Sequence, residues 1–139
     1  MVEFLQEHGL LIAGLVLVGV VLFKGPIMLR LYRIGSVDAA AAVNLINRQE
    51  ARVLDVREER EWQQGHIPDA VHVPLGQLGT RMGELEAYKG ADTPLVVVCR
   101  SGNRSAMAAV RLRKAGFESV YNLEGGTMAW QQAGMPLES

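Results

Sequence analysis

Residues 10–23 read LLIAGLVLVGVVLF, a run without a polar side chain. No other feature constrains this chain as strongly, because a helix that is apolar all round has no face to turn toward water. The run is shorter than the ~20 residues that a membrane-spanning helix usually needs. Gly9 before it and Gly25-Pro26-Ile27-Met28-Leu29 after Lys24 extend it to about residues 8–28. Lys24 would carry its ammonium to the interface along its aliphatic stem, and Pro26 would fall in a frayed or kinked last turn. A cleaved signal peptide would need a basic start and a small-residue cleavage site. Here Glu3 and Glu7 precede the run, and no A-x-A pattern follows it. A buried core helix would not be apolar on every face at the very end of a chain beside a basic stretch. The expectation is one N-terminal transmembrane anchor with its basic flank over residues 1–30. Lys24, Arg30 and Arg33 lie on one side and Glu3 and Glu7 on the other. The positive-inside rule therefore puts the rest of the chain in the cytoplasm, as a single-pass protein. The stretch IMLRLYRIG suits equally an amphipathic segment in the headgroup region or a plain tether.

What remains is enough for one small domain, placed at residues 35–137. The formal net charge is −1, and the arginines are scattered rather than set in a basic stripe with aromatics. That pattern sets nucleic-acid binding aside. Cys99 is the only cysteine, so no internal disulfide forms and a reducing compartment suits the thiol. His8, His66 and His72 show no zinc-ligand spacing with it, and neither a metal nor a cofactor is expected.

Beyond residue 35, strand and helix patterns alternate at short intervals. Ser36 is read as the N-cap of a helix over residues 37–47. A strand follows over 52–56, then a short polar helix over 58–64 ending at Gly65. A strand over 70–73 stops at Pro74, and residues 75–88 are helical or partly so, weakened by Gly76, Gly79 and Gly83. Leu95-Val96-Val97-Val98 is the most continuous apolar strand and is placed at the centre of the sheet. A helix over 105–115, a strand over 119–123 and a helix over 127–133 complete the pattern. The fold class is α/β, a parallel sheet with helices on both faces. Such sheets bind ligands at the carboxyl ends of their strands, and Cys99 sits at that end of the central one.

The loop CRSGNRS, residues 99–105, joins this strand to the next helix. A strand-to-helix loop points several unpaired backbone N–H groups into one concavity, and the helix dipole adds positive potential. Gly102 lets the loop turn tightly. A thiolate in that nest is stabilised, so the Cys99 pKa should fall, and Arg100 and Arg104 would push it the same way. Two chemistries are open: phosphate-ester hydrolysis on a cysteine thiolate, and sulfur transfer through a cysteine persulfide. Cysteine phosphatases place their arginine after five intervening residues, whereas four separate Cys99 from Arg104. The shorter nest suits the smaller terminal sulfur of a persulfide.

Three stretches together resemble the rhodanese family. VLDVREEREWQQGHIPDAVHVP, residues 53–74, resembles its N-terminal signature through Asp55, Arg57, Glu61-Trp62, Gly65-His66-Ile67 and Ala70. VVVCRSGNRS resembles the six-residue active loop of its sulfurtransferases, and GFESVYNLEGGTMAW, residues 116–130, its C-terminal signature. One such domain behind one span resembles the small membrane-anchored bacterial rhodaneses. The resemblance implies a rhodanese-like sheet and an enzyme that moves a sulfane sulfur from thiosulfate or a persulfide to a thiol or cyanide. Cys99 would be the nucleophile that carries the sulfur. Arg100, Ser101, Gly102, Asn103, Arg104 and Ser105 would form the substrate-binding loop, with Arg100 binding anionic donors. Asp55 and Arg57 would support the site, Arg57 pairing with Glu61 four residues on. His66, Trp62 and Trp130 are read as structural. The expected partners are a small sulfur donor, its acceptor, the membrane and a membrane protein. A sulfur-carrier or protein-interaction module with little turnover is the alternative from another class. A phosphatase or arsenate reductase is disfavoured by loop length and by the lack of a second thiol.

Overall fold

The computed structural model describes the backbone of residues 1–139 and every side chain except those of residues 23–28. The expected placements of the Lys24 ammonium and of Pro26 at a helix end lie outside the described side chains. Five strands form one sheet: β1 (Gly35–Val37), β2 (Arg52–Asp55), β3 (Val71–His72), β4 (Leu95–Val98) and β5 (Val120–Leu123). Their order is β1-β5-β4-β2-β3, and every pairing is parallel. β4 is central, as its unbroken aliphatic run implies, and all four of its residues are buried.

Successive side chains of a strand point to opposite faces, and both faces here are covered. On one face Leu54, Leu95, Val97, Cys99 and Val120 pack with Ala108, Ala109 and Leu112 of α5 (Asn103–Lys114) and with Phe117. On the other, Val53, Val96, Val98 and Leu123 pack with Ala39 and Ala42 of α2 (Ala39–Gln49), Ile67, and Trp130 of α6 (Gly126–Gln132). Small residues on α2 and α5 let those helices lie close to the sheet. A short helix, α3 (Glu59–Gln63), follows β2. Residues 75–88 form a 3-10 turn, one short α-helical turn, α4 (Leu78–Arg81), and a longer 3-10 stretch over Met82–Tyr88.

Two expectations change. Residues 35–37 are a strand, not the start of a helix: β1 pairs with β5 through Gly35 opposite Tyr121 and Val37 opposite Leu123. The N-cap of α2 is Asp38, whose Oδ1 accepts from the Ala41 N–H at 2.8 Å. A three-residue strand is too short to display a period of two, so Ser36 looks like a cap until the pairing with β5 is seen.

The second change concerns the N-terminus. α1 (Val2–Leu31) is one helix of 30 residues, about 45 Å long. Its segment Val2–Leu22 has a mean hydropathy of 1.9 and none of it is buried, so it is long and apolar enough to cross a membrane. The segment after it is neither a free tether nor a separate surface helix. Ile34 is buried in the core, with Leu29 and Tyr32 packed against the same cluster. Arg113 Nε donates to the Tyr32 carbonyl at 3.0 Å, and the Lys114 ammonium lies 5.2 Å from the centre of the Tyr32 ring. The base of α1 is thus fastened to α5, the helix that begins at the cysteine loop.

Candidate active site

Residues 99–105 close over the carboxyl end of β4. Gly102 adopts φ 103°, a left-handed conformation that a side chain would strain, and it starts α5. The turn aims the loop's amides inward at Cys99. The Gly102 N–H donates to Sγ at 3.1 Å, and the Ser105 hydroxyl lies 3.4 Å from the sulfur. Burial pushes the thiol pKa up, but the Ser105 hydroxyl and the amides of Ser105, Gly102 and Ser101 outweigh it and hold the thiol below its ordinary value. Cys99 itself is fully buried.

The wall of the loop that faces the sheet is completely partnered. Ser105 Oγ donates to Asn122 Oδ1 at 2.6 Å, and Asn122 Nδ2 donates to the Gly102 carbonyl at 3.3 Å. The Thr127 N–H donates to the Cys99 carbonyl at 2.8 Å and the Met128 N–H to the Arg100 carbonyl at 3.2 Å. Gly126 makes this approach possible, because a Cβ there would run into the carbonyls of Cys99 and Arg100. Gly126 of the third signature is therefore a close-contact device against the loop, whereas a Cβ on Gly125 would meet Ala129 of α6.

The outer side differs. Arg100, Ser101 and Asn103 are exposed. Among the described residues, Arg100 has neither an ion pair nor a hydrogen-bonded side chain. It borders a cavity of about 300 Å³ together with Arg57, Glu61, Gly65, Thr127 and Met128. A second cavity of about 410 Å³ lies on the other flank of the loop, between Ser101, Gly102 and Asn103 and the base of α1 at Leu29 and Arg30, with Ile34 just beyond the helix.

The charged residues do not pair as their spacing in sequence implies. Arg57 is not bonded to Glu61. Its Nε and Nη2 fork onto Asp55, with Nη2 2.8 Å from Oδ2, and Nη2 also donates to the Gly65 carbonyl at 2.7 Å. Asp55 is fully buried and Arg57 nearly so, and the pair ties the end of β2 to the end of α3. Glu61 reaches Arg104 instead, through two parallel bonds of 2.6 and 2.8 Å. The Arg104 guanidinium holds the Glu61 carboxyl well down, at about 2, and the carboxylate raises the Arg104 pKa in turn. In helical register Arg57 faces Glu61, but Arg57 precedes α3 and folds back onto β2.

His66 and His72 both stack on the Trp62 ring, with ring centroids 3.5 and 4.5 Å away. His72 Nε2 bonds the Arg57 carbonyl at 2.8 Å. Trp130 is buried and donates to the Pro136 carbonyl at 2.8 Å. Sequence reasoning missed Asn122 and Gly126 as parts of the site. Both lie in the third signature, but only the parallel pairing of β4 with β5 brings them to the loop.

Comparison with known proteins agrees with this geometry. The family model of the Rhodanese-like domain matches residues 38–133. The thiosulfate sulfurtransferase GlpE of Vibrio cholerae serotype O1 is 32% identical over 103 residues, covering 74% of this chain and 93% of that protein. The uncharacterized protein slr1261 of Synechocystis is 41% identical over 99 residues, 70% of this chain. The chain spans only about half the length of slr1261, 53%, and 42% of a Bacillus subtilis relative. The crystal structure of a rhodanese-related protein from Thermoplasma volcanium superposes with a TM-score of 0.66 at 33% identity, over 75% of this chain and 97% of that one. The family match spans most of the chain and includes the cysteine loop, its Asn122 and Gly126 backing and the Asp55–Arg57 pair, so the chain belongs to the rhodanese-like family.

Proposed function

We propose that the protein is a membrane-anchored sulfurtransferase in which Cys99 carries the sulfur. The observation that supports this most is the position of Sγ under the loop, where the Gly102 N–H donates to it at 3.1 Å and the Ser105 hydroxyl lies 3.4 Å away, an arrangement that lowers the thiol pKa. In the first step the thiolate attacks the outer sulfur of thiosulfate. A new S–S bond forms, the old one breaks, and sulfite leaves with the electron pair. In the second step a thiol or cyanide attacks the terminal sulfur, and Cys99 leaves as thiolate. A low thiol pKa makes the sulfur a better leaving group. The amides of residues 100–105 cradle the terminal sulfur, and Arg100, an exposed cation at the rim, draws in anionic donors. Arg104, held by Glu61, fixes the loop, while Asp55 and Arg57 hold the end of β2 beside it.

In this reading residues 1–30 are the anchor and residues 35–137 the sulfurtransferase domain. The charge asymmetry about the apolar segment turns the domain to the cytoplasm. The base of α1 is fastened to α5, so the loop works close to the bilayer and a membrane protein is a reasonable donor or acceptor. A second reading has one observation in its favour. Cys99 is fully buried, which suits a sulfur carrier that opens only for a protein partner and turns over small donors slowly.

Intact-protein mass spectrometry of the full chain in detergent tests this. Incubation with thiosulfate should add one sulfur to the wild type, and cyanide should remove it with release of thiocyanate. Cys99→Ser should do neither. Uptake from a persulfidated protein but not from thiosulfate would favour the carrier reading. No uptake from either donor would overturn the sulfurtransferase assignment. The full chain is needed because removal of residues 1–34 would strip Ile34 from the core, a contact worth about 1.5–3 kcal/mol.

A further inference from the structure

Ser105 and Asn122 are buried, at 0% and 4% exposure, and stand behind the sulfur. Ser105 has one hydroxyl proton and two possible acceptors for it. Asn122 Oδ1, at 2.6 Å, is a pure acceptor, so the hydroxyl donates to it in this structure. The oxygen then turns a lone pair toward Sγ at 3.4 Å. That arrangement suits a thiol, which can donate its own S–H, or a persulfide. It suits a thiolate less well, because a lone pair then faces the charge and the Gly102 N–H is left to donate without help from the hydroxyl. The Ser105 hydroxyl can supply that help by rotating about its C–O bond, but Asn122 Oδ1 would then lose the only donor it has among the described residues. Asn122 cannot turn freely to compensate, because its Nδ2 is committed to the Gly102 carbonyl.

We propose that Asn122 is a positioning residue that competes with Cys99 for the Ser105 hydroxyl proton, so that the hydrogen bond swings to the sulfur only when it leaves as thiolate. The inference rests on the reading of Cys99 as the sulfur-carrying nucleophile. No bond to hydrogen breaks in the swing: the proton stays on Ser105 Oγ, and only the direction in which it points changes. Asn122 thereby acts against a permanently ionised sulfur and lets the stabilisation arrive with the developing charge. The guanidinium of Arg104 interacts electrostatically with Cys99, and it is locked to Glu61 by two hydrogen bonds that the swing does not touch.

The test is the pH dependence of Cys99 alkylation by iodoacetamide, measured on the full chain in detergent. Four proteins are compared: wild type, Asn122→Ala, Ser105→Ala and the double variant. With its competitor removed, the hydroxyl is free for the sulfur. Asn122→Ala should therefore alkylate about two- to tenfold faster than wild type at a fixed pH below the titration midpoint, the range of one hydrogen bond. Ser105→Ala should alkylate more slowly by a similar factor. In the Ser105→Ala background, Asn122→Ala should have no effect, because the proton they share is gone. Slower alkylation in Asn122→Ala, or the same change in both backgrounds, would mean that Asn122 only braces the loop and would overturn the proposal. Asn122→Leu, close to Asn in volume, replaces the Ala variant if that fails to fold. If neither variant folds, unchanged alkylation in Ser105→Ala would suffice to overturn it. Alkylation needs no sulfur transfer, so a wild type that takes up no sulfur would defeat the sulfurtransferase reading without deciding this one.

Discussion

The two walls of the cysteine loop are built on opposite principles. The wall against the sheet is buried and partnered: Ser105, Asn122, Gly102 and the carbonyls of Cys99 and Arg100 each meet a defined neighbour. The outer wall is exposed, and Arg100 stands there without a partner among the described residues. The inner wall fixes the state of the sulfur, because buried donors keep their geometry and their strength where water is excluded. On the proposed function the outer wall would select what reaches the sulfur, because an exposed cation attracts anions without holding one shape. Damage to the inner wall should therefore abolish chemistry together with stability. Damage to the outer wall should change only the choice of substrate.

The sharpest way to break this comparison is Gly126→Ala. A methyl group at this position meets backbone rather than a flexible side chain, and Gly126 also has a φ of 58°. The loop must shift, so sulfur uptake should fall more than tenfold and stability by about 2–3 kcal/mol. Mass spectrometry and thermal unfolding read the two losses. Full uptake in a stable variant would show that the inner wall is not rigid.

Glu61→Gln should give an intermediate effect. It leaves Arg104 half-buried without its carboxylate, at a cost of about 1 kcal/mol once solvent screening is allowed for. Glu61 has a folded pKa of about 2, below its ordinary value near 4.5. Its stabilising contribution is therefore complete above about pH 4.5 and is lost as the pH falls toward 2. The stability gap between wild type and Glu61→Gln, followed by chemical denaturation, should narrow across that window. A gap independent of pH would show that the ion pair contributes nothing.

The smallest effect is expected for Arg100→Ala. Uptake from thiosulfate at low salt should fall about two- to fivefold and approach wild type as salt rises. Stability should stay within about 0.5 kcal/mol. Equal losses at all salt concentrations would place Arg100 in the inner wall after all.

Much of this site was legible in the sequence. A lone cysteine after a four-residue aliphatic strand, followed by glycine and a helix, defines a strand-end nest without reference to tertiary contacts. The central place of β4 followed from its composition. Asp55 does end a strand, as the sequence implies, but Arg57 bonds Asp55 rather than Glu61, because spacing along a helix says nothing about a residue that folds back onto the preceding strand. β1 escaped because three residues carry no period. The docking of Leu29, Tyr32 and Ile34 escaped because apolar residues after a membrane segment look alike whether they face lipid or protein.

The sequence by itself determined which groups the protein has and how they are ordered locally. It set an apolar helix at the start, a parallel α/β domain after it, and one thiol at the mouth of the central strand. Those properties depend on composition and short-range periodicity, which the chain carries in each segment. The tertiary structure decided what each group touches. It set Arg104 on Glu61 across 43 positions of sequence, Asn122 behind Ser105, Gly126 beneath the Cys99 carbonyl, and the base of α1 on α5. Such contacts arise from strand order and crossover packing, where residues far apart in the chain become neighbours only when the sheet is assembled.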